Sequence, residues 1–303
     1  MADGFRTTLV RLLGRTPARA SLQPKILERV ALTGCTREKV SYMVEPGQRV
    51  SAYLFVPAGE GRQPAVLCIH QHNREYHLGK SEPAGLSGNP EQFYALELAK
   101  RGYVTLAPDA LGFEERQHTS LRGMDTERFE ATRRLTEGSC LQAKMLWDLK
   151  RAVDYLLMRR EVDGRRIGCL GHSLGGQQTL FLAALDRRIA VGVSSCGLSS
   201  YRAIFNGAIL HNFALYVPGI LRYGDLDRVL GLVAPRPFLI LAGGGDPLFP
   251  LEGVQSTVRA ARGAYGKAKD RLRLEVFPIG HGFAAPMREA AYAWFDRWLK
   301  PSR

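Results

Sequence analysis

The sequence predicts an α/β fold with a doubly wound, mostly parallel central sheet and helices on both of its faces. From residue 65 onward, apolar runs with strand character alternate with stretches that have the apolar spacing of helices. This alternation is typical of right-handed βαβ units. The run at residues 65–69 is apolar throughout, as expected for a strand buried on both faces. Ligand sites in such sheets lie beyond the carboxyl ends of the strands.

Residues 1–37 are predicted to form a helical N-terminal extension, and residues 38–303 a single α/β domain. Arg11 interrupts the only apolar cluster of residues 1–19, so a signal-peptide core is not predicted. A helix packed on the body of the protein is favoured over one lying on a membrane surface. The apolar side chains that fit one face of this helix are Phe5, Leu9, Leu12 and Leu13.

A hairpin and then alternating strands and helices are predicted after the extension. The hairpin consists of β-rich runs at 40–44 and 50–56, which a Pro-Gly turn joins. Further strands are predicted at residues 65–69, 103–107, 167–170, 189–193, 237–241 and 272–277. Helices are predicted at residues 90–100, 139–160, 177–185, 254–265 and 284–299.

Two segments interrupt the alternation. Residues 111–138 are polar and rich in charge, and residues 197–234 hold several aromatic side chains. Both follow strand ends on the active side of the sheet, so they are predicted insertions that form a lid or line a substrate pocket. A small packed subdomain explains the aromatic residues of the second insertion equally well.

The composition is that of a soluble globular protein and excludes several functional classes. Of the 303 residues, 45% are hydrophobic, and no stretch reaches the roughly 18 apolar residues of a membrane span. The net charge of +13 comes mostly from arginines scattered singly or in pairs, so nucleic-acid binding is not predicted. The five cysteines form no CxxC pair, and Cys68, Cys169 and Cys196 lie in or beside apolar strand-like runs, where buried free thiols are predicted. Free thiols suit a reducing, cytoplasmic location.

A Gly-x-Ser-x-Gly motif at residues 171–175 follows the strand-like run 167–170 and precedes a helical stretch. Strand, motif and helix in this order are the context of a nucleophile elbow. The turn is so tight that the serine backbone is strained, and glycines at 171 and 175 avoid clashes. Ser173 is therefore the predicted nucleophile.

The base and the acid of a catalytic triad are expected later in the chain. His281 lies in a glycine-flanked loop between the last strand and the last helix, whereas His211 falls inside the second insertion. Asp246 follows the strand at 237–241, and the preceding strand ends without a carboxylate. Asp225 and Asp227 lie away from strand ends and are predicted surface or capping residues. His281 is the predicted base and Asp246 the predicted acid.

The oxyanion hole requires two backbone N–H groups. Leu174, directly after the nucleophile, is predicted to supply the first. The second is expected from the loop after residue 69, where many hydrolases have His-Gly and this chain has His70-Gln71-His72. His72 is the preferred donor and Gln71 the alternative.

A zinc site at His70, His72 and His77 is an alternative interpretation, because His-x-His at a strand end can bind this metal. No aspartate stands beside these histidines, and no distant His/Asp set matches them. Neither a metal nor another cofactor is therefore predicted. Surface salt bridges are the default prediction for the charged side chains of the neighbouring loops, which are Arg74, Glu75, Lys80, Glu114 and Arg116.

The order of the triad, the histidine at the strand end and the strand–helix alternation resemble the α/β-hydrolase superfamily over residues 38–300. Within it, residues 216–225 and the Ala-Pro-Arg-Pro sequence at 234–237 resemble the dienelactone hydrolase and acetyl xylan esterase-like branch. Dienelactone hydrolases proper use a cysteine nucleophile, whereas this chain has Ser173. The resemblance therefore implies a serine esterase that cleaves small-molecule carboxylic esters through an acyl-enzyme, without a cofactor.

Two other functions are compatible with parts of the sequence. A serine peptidase of the prolyl oligopeptidase type shares the motif, but its usual β-propeller needs far more than the 37 residues that precede the core here. A non-catalytic binding protein on a hydrolase fold is expected to have lost a triad residue, and all three are present. The sequence leaves open the acyl and alcohol groups of the substrate and whether the protein is a monomer or a homodimer.

Overall fold

A computed structural model describes residues 2–300, with side chains from residue 4 onward, and shows a central nine-stranded sheet within them. Met1 and the last three residues of the predicted domain 38–303 lie outside the described residues. Numbered along the chain, the strands are β1 Lys25–Leu32, β2 Cys35–Glu45, β3 Gln48–Pro57, β4 Gln63–Ile69, β5 Val104–Pro108, β6 Val162–His172, β7 Ile189–Ser195, β8 Phe238–Gly243 and β9 Leu272–Phe277.

The order of the strands across the sheet is β1-β2-β3-β5-β4-β6-β7-β8-β9. The pairs from β5 through β4, β6, β7 and β8 to β9 are parallel. The three strands at the other edge are antiparallel, with β3 bridging to β5. The predicted mostly parallel α/β sheet and the predicted hairpin, β2–β3, are both confirmed.

Helices cover both faces of the sheet and bury them in two apolar clusters. Successive strand residues alternate between the clusters: Leu67 of β4 lies with α1, α4, α5, α7 and α8, and Cys68 lies with α2 and α9. The helices are α1 Ala2–Leu13, α2 Tyr94–Lys100, α3 Met124–Thr136, α4 Leu141–Met158, α5 Leu174–Leu185, α6 Tyr201–Asn206, α7 Leu226–Gly231, α8 Leu251–Tyr265 and α9 Ala285–Leu299.

The N-terminal extension is only partly helical. Helix α1 packs on the body of the protein, with Phe5, Leu9 and Leu13 buried in the larger cluster. The prediction of helix for the whole of residues 1–37 is wrong for Lys25–Leu32, which forms edge strand β1 beside β2. Seven of its eight residues are exposed, so no buried face gives β1 a period-two apolar pattern.

The two predicted insertions contain helices of their own. Helix α3 lies in residues 111–138, and α6 and α7 lie in residues 197–234. Asp225 caps α7 by accepting a hydrogen bond from Leu226 N and also accepts one from Tyr201 N at 2.8 Å, in agreement with the predicted capping role.

Cys68, Cys169 and Cys196 are free and buried, as predicted, and so are Cys35 and Cys140. Among residues 2–300, none of the helices combines the length and the apolar character needed to cross a bilayer.

Candidate active site

The elbow forms at the junction of β6 and α5. Ser173 has φ 55° and ψ −118°, a conformation that is costly for a residue with a side chain. Neighbouring backbone holds it there: Ser173 N donates to Ser195 O at 2.9 Å, and Gln177 N donates to Ser173 O at 3.0 Å. A Cβ on Gly171 would lie 2.2 Å from the carbonyl carbon of Gly175, so this turn excludes a side chain at residue 171.

The structure places His281 within hydrogen-bond distance of both Ser173 and Asp246, the other two residues of the predicted triad. The distance from His281 Nε2 to Ser173 Oγ is 2.9 Å, and that from His281 Nδ1 to Asp246 Oδ2 is 2.9 Å. Asp246 stands in the loop after β8, and His281 stands between β9 and α9. Parallel strands bring these loops together because their carboxyl ends meet at one edge of the sheet.

The surroundings of Asp246 favour its ionised form. Burial alone would raise the pKa of this carboxyl, but its hydrogen bond with His281 and the charge of that ring lower it. The backbone N–H groups of Leu248 and Phe249 also donate to Oδ1, at 2.9 and 3.2 Å. The pKa of Asp246 is therefore below its usual value, and its carboxylate can fix the tautomer of His281.

The predicted base is more accessible than the predicted acid. The side chain of Asp246 is 1% exposed and that of His281 18%. The ring of Phe249 stacks on one side of His281 at 5.8 Å, and His172 lies 4.9 Å from it. This arrangement shields the Asp246–His281 contact from water and leaves part of the His281 ring accessible.

His172, the residue before the serine, has a buried role that the motif does not reveal. Its ring stacks on Phe283 at 5.8 Å, and its Nδ1 lies 3.1 Å from Ser195 Oγ. Burial, together with the nearby His281, lowers the pKa of His172 to about 3. His172 therefore stays neutral beside His281.

The two predicted oxyanion segments face each other at the end of β4. Leu174 is the first residue of α5, and the first N–H groups of a helix lack partners within it. In the opposite loop, His70 accepts a hydrogen bond from Ala110 N at 3.0 Å and is 2.6 Å from Gln71 O. Gln71 Nε2 donates to buried Glu82 at 2.9 Å. The donor roles of Leu174, His72 and Gln71 remain predictions.

Two of the three candidate zinc ligands, His70 and His72, already use both of their ring nitrogens. In His70 they contact Gln71 O and Ala110 N, and in His72 they contact Glu127 and Arg74 N. Among the described residues, three side chains do converge at ligand spacing in two places: Cys196 with Asp246 and His281, and Asp109 with Glu114 and Glu115.

The second of these groups already encloses a cation, the ammonium of Lys80. Lys80 is 1% exposed, lies 2.8 Å from Asp109, and also contacts Glu114 and Glu115. Arg116 is likewise buried and donates to Asp148 at 2.7 Å. The default prediction of surface salt bridges is therefore wrong for Lys80 and Arg116, which brace the loops from inside.

Comparison with known proteins identifies the family. A model of the dienelactone hydrolase family matches residues 50–300 of the chain. The Bacillus subtilis (strain 168) protein YtaP, which is named as a hydrolase, is 32% identical over 300 residues, covering 97% of this chain and 98% of YtaP.

Solved structures share the fold at lower identity. Methylesterase BT1017 has a TM-score of 0.76 at 22% identity, over 98% of this chain and 63% of that protein. Acetyl xylan esterase 1 from Thermoanaerobacterium sp. JW/SL YS485 has a TM-score of 0.65 at 18% identity, over 97% of this chain and 98% of the esterase. With the family model matching most of its length, the chain belongs to the dienelactone hydrolase family and is a carboxylic ester hydrolase.

Proposed function

We propose that the protein is a serine esterase that cleaves small-molecule carboxylic esters through an acyl-enzyme intermediate. Ser173 is the nucleophile, His281 the general base and acid, and Asp246 the residue that orients His281. The N–H groups of Leu174 and His72, with Gln71 as the alternative to His72, stabilise the oxyanion.

One observation carries this proposal. Ser173, His281 and Asp246 form a chain of two 2.9 Å contacts, and the serine sits at φ 55° on a strand-to-helix turn. A serine hydroxyl within reach of an imidazole that a buried carboxylate orients is the arrangement of an activated nucleophile.

The reaction follows from this geometry. Ser173 Oγ attacks the ester carbonyl carbon while its proton passes to His281 Nε2, and the carbonyl oxygen becomes the oxyanion. When the tetrahedral intermediate collapses, the bond to the alcohol oxygen breaks and His281 returns the proton to that oxygen. A water molecule then repeats the sequence on the acyl-serine, giving the acid and the free serine.

The relatives narrow the substrate class. Methylesterase BT1017 and acetyl xylan esterase 1 are named for esters in which either the alcohol or the acyl group is small. We therefore expect turnover of esters with one small substituent. The peptidase and the non-catalytic alternatives are tested by the same experiment.

The test is a panel of p-nitrophenyl esters from acetyl to octanoyl, run beside acetylated sugars and aminoacyl-nitroanilides. We expect turnover of the shorter esters and none of the anilides, and we expect loss of turnover in Ser173→Ala. Ester turnover that survives in Ser173→Ala would exclude the mechanism. Activity that a chelator abolishes and zinc restores would favour the metal alternative.

A further inference from the structure

A buried carboxylate in the first insertion joins three segments at the edge of the active site. Glu127 of α3 is 3% exposed. Its Oε2 accepts hydrogen bonds from His72 Nε2 at 2.7 Å and from Tyr76 OH at 2.5 Å, and its Oε1 accepts one from Phe213 N at 2.7 Å. The partners belong to the loop after β4 and to the second insertion, so one side chain connects both to α3.

The hydrogen bonds of His72 define its tautomer. Arg74 N donates to Nδ1 at 3.1 Å, so Nδ1 carries a lone pair and the ring proton is on Nε2. Nε2 donates that proton to Glu127. The ring is thus held at both nitrogens, once by its own loop and once by α3.

The loop after β4 has a strained backbone directly after His72. The next two residues, Asn73 and Arg74, have φ 41° and 56°, and each such residue costs on the order of 1 kcal/mol or more. Strain of this kind persists where surrounding contacts hold it in place. The contacts of the His72 ring with Arg74 N and Glu127 are such a restraint, and they act on the segment that carries the predicted oxyanion donor.

The ionised carboxylate of Glu127 is suited to holding these three hydrogen-bond donors. Burial would raise the pKa of Glu127, but the hydrogen bonds from His72, Tyr76 and Phe213 N lower it below its usual value. An ionised carboxylate only accepts hydrogen bonds, and all three of these partners donate. A neutral amide of the same size would place a donor against at least one of them.

The second insertion is attached to the nucleophile helix as well. Gln177 of α5 donates to Ala214 O at 2.6 Å, one residue after the N–H that Glu127 binds. Leu174, Tyr76 and Ala214 share one apolar cluster with Phe113 and with residues of α3 and α4. The residues 213–214 therefore link α3 and α5 across the predicted oxyanion hole.

We propose that Glu127 is a positioning residue that holds the His72 loop in the geometry for oxyanion stabilisation and ties that loop to residues 213–214 of the second insertion. The inference rests on the proposed function. Glu127 acts through His72 and does not contact the reacting atoms. This role predicts that substitution of Glu127 lowers the rate of the chemical step and changes substrate binding little.

The experiment measures the reaction of Ser173 with a p-nitrophenyl phosphonate. Ser173 Oγ forms a bond to phosphorus, p-nitrophenolate leaves, and the serine proton passes to His281, while the phosphoryl oxygen occupies the oxyanion hole. In Glu127→Gln we expect the maximal rate of this reaction to fall about 10- to 100-fold, somewhat less than for the loss of a whole donor. We expect the half-saturating phosphonate concentration, and KM for p-nitrophenyl acetate, to change less than about threefold. The kcat for p-nitrophenyl acetate should fall together with the maximal rate of the phosphonate reaction.

Glu130→Gln is the matched control, because Glu130 lies one turn later in α3 and pairs with Arg133 and Arg134 of the same helix. It should react like the wild type. If Glu127→Gln does not fold, Tyr76→Phe carries the test: it removes one of the three bonds and should lower the maximal rate severalfold without changing KM.

The outcomes separate the two proposals. A wild type that the phosphonate does not modify at Ser173 contradicts the proposed function. The positioning role is overturned if the wild type is modified and folded Glu127→Gln reacts at a maximal rate within twofold of the wild-type rate. It is also overturned if Glu130→Gln loses as much of this rate as Glu127→Gln does. A loss confined to KM also overturns it, because that would place Glu127 in substrate binding.

Discussion

The first turn of α5 meets the end of β4 backbone to backbone: a Cβ on Gly175 would lie 1.9 Å from the carbonyl oxygen of Ile69. This contact sets the distance between the turn that carries Ser173 and the loop that begins at His70. The second glycine of the motif is therefore a packing requirement between two segments of the site.

The free energy of unfolding of Gly175→Ala should be lower than that of the wild type by more than about 2 kcal/mol, because rigid backbone must move to admit the methyl group. The measurement is the free energy of unfolding in urea. Gly263→Ala is the control: it lies in α8 with open space around it, and higher helix propensity should stabilise it by up to about 1 kcal/mol. Equal effects of the two substitutions would contradict the packing argument.

Replacing Ser173 by glycine should make the protein more stable than replacing it by alanine. Both variants lose the hydroxyl and should be inactive, but only glycine adopts φ 55° without strain. We expect a difference of about 1 kcal/mol in favour of Ser173→Gly in thermal or urea unfolding. An alanine variant as stable as the glycine variant would show that the elbow is not strained.

Asp246→Asn should lower kcat by about 10⁴-fold at neutral pH, since an amide can no longer fix the tautomer and the charge of His281. The assay is the hydrolysis of the best ester of the panel. Asp225→Asn serves as the control, because Asp225 also binds backbone N–H groups but does so at the starts of α6 and α7. It should lose stability and keep kcat. Similar kcat values for the two variants would remove Asp246 from the mechanism.

Stability should fall when the pH is lowered from about 6.5 toward 3, because the folded state keeps His172 neutral. The pKa of His172 is lowered to about 3 by burial and by His281, from an ordinary 6.5. In this window the unfolded chain binds a proton that the folded chain does not, so each pH unit costs up to about 1.4 kcal/mol for this group.

Urea unfolding at a series of pH values checks this dependence. His172→Gln should give a shallower slope between pH 6 and about 4, whereas replacing the exposed His77 by Gln should leave the slope unchanged. A slope in His172→Gln as steep as that of the wild type would rule out His172 as its source.

Much of the fold could be predicted because its signals are local. The buried parallel strands are continuous apolar runs, and helix α4 shows its apolar stripe over 18 residues. Strand β1 could not be recognised in this way: it pairs on one edge only and is exposed on both faces, so no buried face imposes an alternating pattern on residues 25–32.

The burial of Lys80 could not be predicted from the sequence either. A lysine in a polar loop has no neighbouring residue that marks it as buried, and its carboxylate partners Asp109, Glu114 and Glu115 lie about 30 residues or more away. Which loop charges become internal depends on how the loops after β4 and β5 pack together.

The sequence by itself determined the α/β sheet, the elbow at Ser173 and the candidates Asp246 and His281. Each of these follows from a short segment: an apolar run, a glycine turn, or a loop after a strand. Only the tertiary structure decided how the two insertions contact each other and the loop after β4. Glu127 meets His72 across 55 residues and Phe213 across 86, and contacts at such separations depend on the packing of whole elements, which no local pattern encodes.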